Sequence, residues 1–105
     1  MSLDVDVFHK GFLVFGTNIT SNIRAMLDRA RIDELFFGKY NEALPVSEAL
    51  PRLLVAIQEF KDHPEEFRPL QAKNGWGTYE QALEWLEEMA DVFDSNPDGT
   101  YICQW

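Results

Sequence analysis

The sequence predicts a single α+β domain over residues 1–105. A small three-stranded antiparallel or mixed sheet packs against about three helices, in the order β-β-α-α-α-β. Three observations lead there. The N-terminus alternates apolar and polar residues with a period of two. Two long stretches, around Leu50–Phe60 and Ala82–Phe93, repeat apolar residues at helical spacing. The turn-forming Asn96-Pro97-Asp98-Gly99 then precedes a short C-terminus rich in β-branched and aromatic residues.

Leu3, Val5 and Val7 against Asp4 and Asp6 give the first, half-buried strand. Lys10-Gly11 turns the chain, and Phe12 to Ile19 reads as a second strand. Because Phe12 through Phe15 is apolar on both faces, that strand is expected to be more enclosed than the first, or covered at an edge. Ile23, Met26, Leu27 and Ala30 fall on one helical face behind Thr20 or Ser21 as N-cap. Ile32 to Tyr40, with Leu35, Phe36 and Phe37, reads as a short helix ending near Gly38. Ser47 is the expected N-cap of the next helix, which tolerates Pro51 in its first turns and runs Leu50, Leu53, Leu54, Ile57 and Phe60 along one stripe. His63-Pro64 stops it, and Pro64 to Phe67 adds at most a further turn. Thr78 with Gln81 forms a capping box for the last helix, and Thr100 to Trp105 supplies the third strand.

Composition narrows the function classes. The chain has 46% hydrophobic residues, eight Phe, three Trp and three Tyr, which is the make-up of a globular protein. A net charge of −9 argues against direct nucleic-acid binding and against anionic membranes, and leaves a basic protein partner open. Cys103 is the single cysteine, so neither an intrachain disulfide nor a cysteine-based zinc site can form. His9 and His63 are far apart and in no metal-ligand spacing. No metal or cofactor is expected. With no apolar run near membrane-spanning length and no signal-peptide pattern, a soluble cytoplasmic protein is the simplest expectation. A nucleophile–base pair would have to draw on two histidines and one cysteine, so the reading leans away from an enzyme.

Two surfaces compete for a role. Glu80, Glu84, Glu87, Asp91 and Asp94 project along one side of the last helix with Glu88 just beside them, and no Lys or Arg occurs from Thr78 to Gly99. Such a face is ordinarily solvated surface. Its sharper reading is a contact for a basic partner, centred on Glu84, Glu87 and Asp91. The second surface is Asn74-Gly75-Trp76-Gly77-Thr78-Tyr79, where two glycines around a Trp permit unusual dihedrals and close passage of the chain. The plain account is an ordered loop whose Trp76 plugs the core edge. The alternative is a ligand site in which Asn22 joins Asn74, Trp76 and Tyr79. Capping explains the Thr and Ser of Asn18-Ile19-Thr20-Ser21-Asn22 but not its two asparagines, one of which could bond across to the Asn74 loop or face a ligand. Trp85 and Trp105, with an open sheet edge, leave monomer and homodimer both open.

Asn18-Ile19-Thr20-Ser21-Asn22-Ile23 and Asn74-Gly75-Trp76-Gly77-Thr78-Tyr79-Glu80 resemble the two signature stretches of an uncharacterised group of small bacteriophage and bacterial proteins. Asp4-Val5 in the first strand and the Asn96-Pro97 turn extend the resemblance over nearly the whole chain, and the Trp-containing stretch is its most specific part. The chain departs from the group in its short first hairpin, with only Lys10-Gly11 at the tip. The resemblance implies phage or mobile-element company but no activity, and it implies that Asn22, Asn74, Trp76 and Tyr79 act in one place. The leading expectation is a non-enzymatic accessory or interaction protein using the acidic helix. The alternatives are a small-ligand-binding module at the Trp loop and a structural phage component.

Overall fold

A computed structural model describes residues Met1–Trp105 throughout. Strand β1 (Ser2–His9) and strand β2 (Phe12–Thr20) are joined by Lys10 and Gly11, both at positive φ (52° and 81°). That is the twist of a type I′ hairpin turn, which accepts Gly readily. The chain then passes a 3₁₀ turn at Ser21–Ile23, α1 (Arg24–Arg29), α2 (Asp33–Phe37), β3 (Leu44–Pro45), α3 (Val46–Asp62) and α4 (Pro64–Phe67). A second 3₁₀ turn at Arg68–Leu70 leads to α5 (Tyr79–Ser95) and β4 (Thr100–Gln104).

The hairpin and the C-terminal strand share one sheet, as expected, and it is antiparallel between all its named strands. It has four strands rather than three, in the order β2-β1-β4-β3. The additional strand is two residues long and contains Pro45, so propensity gives no hint of it. It forms because its neighbours are held to β4, with Val46 N–H bonded to the Gly99 carbonyl (3.1 Å) and Asn41 N–H to the Cys103 carbonyl (2.8 Å).

In β1 the alternation works as read: Leu3, Val5 and Val7 are buried, opposite Tyr101 and Cys103 where β4 pairs with β1. These side chains join Met26, Leu27, Phe36, Leu53, Phe60, Leu86, Met89 and Phe93 in one continuous core under the helices. Asp4, Asp6, Ile102 and Gln104 fall on the other, open face of the sheet.

The expected enclosure of β2 is overturned. It is the edge of the sheet, and Phe12, Leu13 and Val14 are 75%, 60% and 47% exposed. Val7 pairs with Phe15 and Phe8 with Leu13, so Val14 is the additional residue of a bulge. The helices cover β1 and β4 and leave this end of the hairpin uncovered; an apolar run shows what a strand could bury, and strand order decides whether it does.

Helix α3 also begins differently from the expectation. Its first residue is Val46 behind Pro45, with no side-chain cap, and Ser47 lies inside the first turn. Pro51 therefore sits well within the helix, and the Ser47 carbonyl loses its partner there. Helix α5 carries the expected capping box between Thr78 and Gln81 and buries Ala82, Trp85, Leu86, Met89, Ala90 and Phe93.

Candidate functional site

The loop between the second 3₁₀ turn and α5 is fixed by side chains at almost every step. Asn74 Oδ1 accepts from Trp76 N–H (3.0 Å), which closes a turn around Gly75. Gly75 and Gly77 have φ of 80° and 79°, a region that strains any residue with a Cβ. Gln81 Oε1 accepts from Gly77 N–H (2.8 Å) and Thr78 N–H (3.0 Å), while Gln71 Oε1 accepts from Tyr79 N–H (2.8 Å). Thr78 Oγ1 accepts from Gln81 N–H (3.2 Å). The start of α5 is thus filled by its own side chains, which argues against the anion site that a bare helix start would offer.

The two signature segments meet here. Asn22 Nδ2 donates to the Trp76 carbonyl (3.3 Å), the first of the two alternatives the sequence left open for an asparagine of this segment. A Cβ on Gly77 would stand 3.0 Å from Thr20 Cγ2 and 3.1 Å from Asn22 Cβ, so this glycine is what lets the loop lie against the strand end. Asn18 is anchored by donating to Ser2 Oγ (3.0 Å) and Asp4 Oδ1 (2.6 Å).

Within this fixed frame Trp76 is 71% exposed. The expectation that it plugs the core is overturned, because the Asn74 turn and the two left-handed glycines carry its side chain outward. Beside the indole lies a depression of about 550 Å³ lined by Met1, Ser2, Asn18, Thr20, Asn22, Asn74 and Trp76, none with a charged side chain. A second hollow of about 340 Å³ lies against Ile19, Thr20, Trp76, Gly77 and Gln81, so Trp76 borders both. Asn22 Oδ1 and Asn74 Nδ2 remain without a protein partner and are exposed, one an acceptor and one a donor beside the ring.

Tyr79 does not join this group. Its ring is buried, stacked on Phe60 with centroids 5.7 Å apart, and its hydroxyl donates to the Phe60 carbonyl. Burial raises its pKa, with the Arg68 guanidinium opposing from 4.4 Å above the ring. As the first residue of α5, Tyr79 faces α3, and the packing of those helices determines where it goes.

The acidic residues of α5 all lie on the surface, but they are not equivalent. Glu80 pairs with Arg68, whose hydrogen bond lowers its pKa, and Glu87 pairs with Lys61 of α3 at 3.2 Å. Glu84, Glu88, Asp91 and Asp94 are exposed and have no intramolecular cation. Elsewhere, His63 Nδ1 lies 3.5 Å from Glu65 and 3.4 Å from Glu66, but Glu66 is also taken by Arg29, and the group is open to solvent. Cys103 is buried, and burial, assisted by Asp6, pushes its thiol up to about 12, the opposite of what a reactive cysteine needs. Trp85 is 6% exposed, and its Nε1 donates to Thr17 Oγ1 (3.3 Å).

Of the residues lining this depression, the sequence grouped Asn22, Asn74 and Trp76 as a candidate site but did not add Ser2 and Thr20. The signal was available in the hairpin register, which pairs Ser2 with Thr20 and Asp4 with Asn18. Comparison with known proteins finds no family model, no curated protein and no solved structure that matches the chain. No helix is long and apolar enough to cross a membrane.

Proposed function

We propose that the protein is a non-enzymatic interaction module of phage or bacterial origin, working in the cytoplasm, that seats an uncharged segment of a partner protein against Trp76. The observation that carries this reading is a Trp 71% exposed on a loop whose neighbouring amides are already bonded. A large aromatic left in water by so constrained a loop gains only when something covers it. The acceptor at Asn22 and the donor at Asn74 match a group that offers one of each, such as a peptide amide. The lining side chains are uncharged and Met1 adds its amino group, so the contacting portion of the partner is one that carries no positive charge.

Selection from a displayed library of extended random peptides tests this. The parent should enrich a common class of uncharged sequences, and Trp76→Ala should bind them at least about thirtyfold more weakly, the scale of an aromatic hot spot of ~2 kcal/mol or more. Enrichment that survives Trp76→Ala unchanged would sink the proposal.

One observation favours a second contact, the four uncompensated carboxylates Glu84, Glu88, Asp91 and Asp94. They would speed the approach of a basic partner rather than hold it. Reversing Glu84, Glu88 and Asp91 to Lys should slow association with a Lys-rich peptide at low salt and change little at high salt. Equal rates at low salt would remove this face from consideration.

A further inference from the structure

The two edges of the sheet are treated differently. Edge β3 has two residues, one of them Pro45, and runs directly into α3, which is how natural sheets avoid joining one another. Edge β2 has nine residues, no Pro, and no charged side chain anywhere between Lys10 and Arg24. Its tip also presents Phe12, Leu13 and Val14 to water.

We propose that two copies of the chain pair antiparallel along β2, joining their sheets into one of eight strands around a two-fold axis. Charge selects the occupant. In a protein of net charge −9, a second copy is repelled from most of the surface, and β2, whose own side chains carry no charge, is where two such bodies can meet with only the Asp6 carboxylate, over Gly16, close to the axis. Stacking the open sheet faces instead would set Asp4 and Asp6 of each copy against those of the other. Edge pairing also closes on itself, so it ends at a dimer.

The faces of the strand agree with this arrangement. Phe12 opposes His9 and Ile19 opposes Leu3, so both lie on the helix side, while Leu13 opposes Phe8 and Asn18 opposes Asp4 on the open side. With Gly16 near the axis and the bulged Val14 skipped, Phe12 meets the second copy's Ile19 and Leu13 its Asn18. The exposed tips supply on the order of 500 Å² of apolar surface per pair, and the strand main chain must bring the total toward the roughly 1,200 Å² of a small specific contact. The expected dimer is accordingly of micromolar rather than nanomolar strength. Asn18 and Ile19 also border Trp76, so the tip of the second copy ends beside the candidate site.

Sedimentation velocity from about 1 to 300 µM, on the parent and on Leu13→Lys/Val14→Lys, tests the proposal. The parent should pass from 12.2 kDa toward twice that mass, and the variant should dimerise at least tenfold more weakly. Should the variant fold poorly by circular dichroism, amide exchange of the parent replaces it, with alternate amides of Phe15–Thr20 slowing as concentration rises. A monomer at every concentration, a dimer indifferent to both substitutions, unchanged exchange in β2, or growth beyond two copies would each overturn it.

Discussion

Trp76 and Trp85 offer the same side chain in opposite surroundings, and truncating each to Ala reads the difference directly. Trp85 is 6% exposed, its ring meets Phe36 edge-on with centroids 5.0 Å apart, and its Nε1 bonds Thr17. Removing it uncovers nearly all of the roughly 200 Å² that a large aromatic buries, at about 25 cal/mol per Å², and also leaves a cavity. The expected cost is about 3–5 kcal/mol. Trp76 is 71% exposed, so less than a third of its surface is covered. The same coefficient limits Trp76→Ala to about 1.5 kcal/mol, and compact unfolded chains lower that further.

Urea unfolding followed by circular dichroism separates the two cases. For a domain of this size with a slope near 1.5 kcal/mol/M, Trp85→Ala should move the midpoint down by roughly 2–3 M and Trp76→Ala by less than about 1 M. Both variants should retain the parental slope. A loss of 3 kcal/mol or more in Trp76→Ala would show the indole packed in solution, and the proposed binding surface would then be part of the scaffold.

Two further expectations follow from local geometry. Gly77→Ala should cost about 1–3 kcal/mol, because its φ of 79° is strained for Ala and the new methyl meets Thr20 and Asn22 at 3.0 and 3.1 Å. Gly75→Ala, at a φ of 80° with nothing within 4 Å, should cost only the backbone share of about 1 kcal/mol; equal losses in urea would mean that the close approach of the loop to Asn22 is not maintained. Stability should also fall at alkaline pH. Cys103 has its folded pKa raised from 9.0 to about 12, so the unfolded chain sheds this proton first, and folding loses free energy progressively as pH climbs from 9 toward 12. At pH 10 the loss from Cys103 is about 1.4 kcal/mol. Cys103→Ala should remove that share of the pH dependence, while Tyr101, also raised mainly by burial, keeps a decline starting nearer pH 10; an identical alkaline slope in both proteins would contradict the assignment.

What could be read from the sequence is what depends on near neighbours. The Thr78–Gln81 capping box, the Leu3/Val5/Val7 alternation and the Lys10-Gly11 turn each involve residues within a few positions, and each forms as expected. The left-handed glycines around Trp76 were legible for the same reason. Strand β3 was not, because Leu44–Pro45 pairs only through what holds its flanks to β4. The exposure of Phe12–Val14 depends on strand order, and the inward turn of Tyr79 depends on how α5 crosses α3. Both are properties of distant contacts, on which composition and periodicity are silent.

The same distinction bears on the candidate site. Burial of Trp76 was the default expectation, since large aromatics generally go inside. Here the main-chain donors that would otherwise bind water are satisfied by Asn74, Gln71, Gln81 and Thr78 side chains, and the loop is further pinned by Asn22. Ordering this loop is therefore complete on folding, and a partner need not supply it. The uncovered indole retains roughly 150 Å² of apolar surface, worth about 3–4 kcal/mol if fully covered. That is the scale of a single dominant contact in an interface, the role the proposed function gives to Trp76.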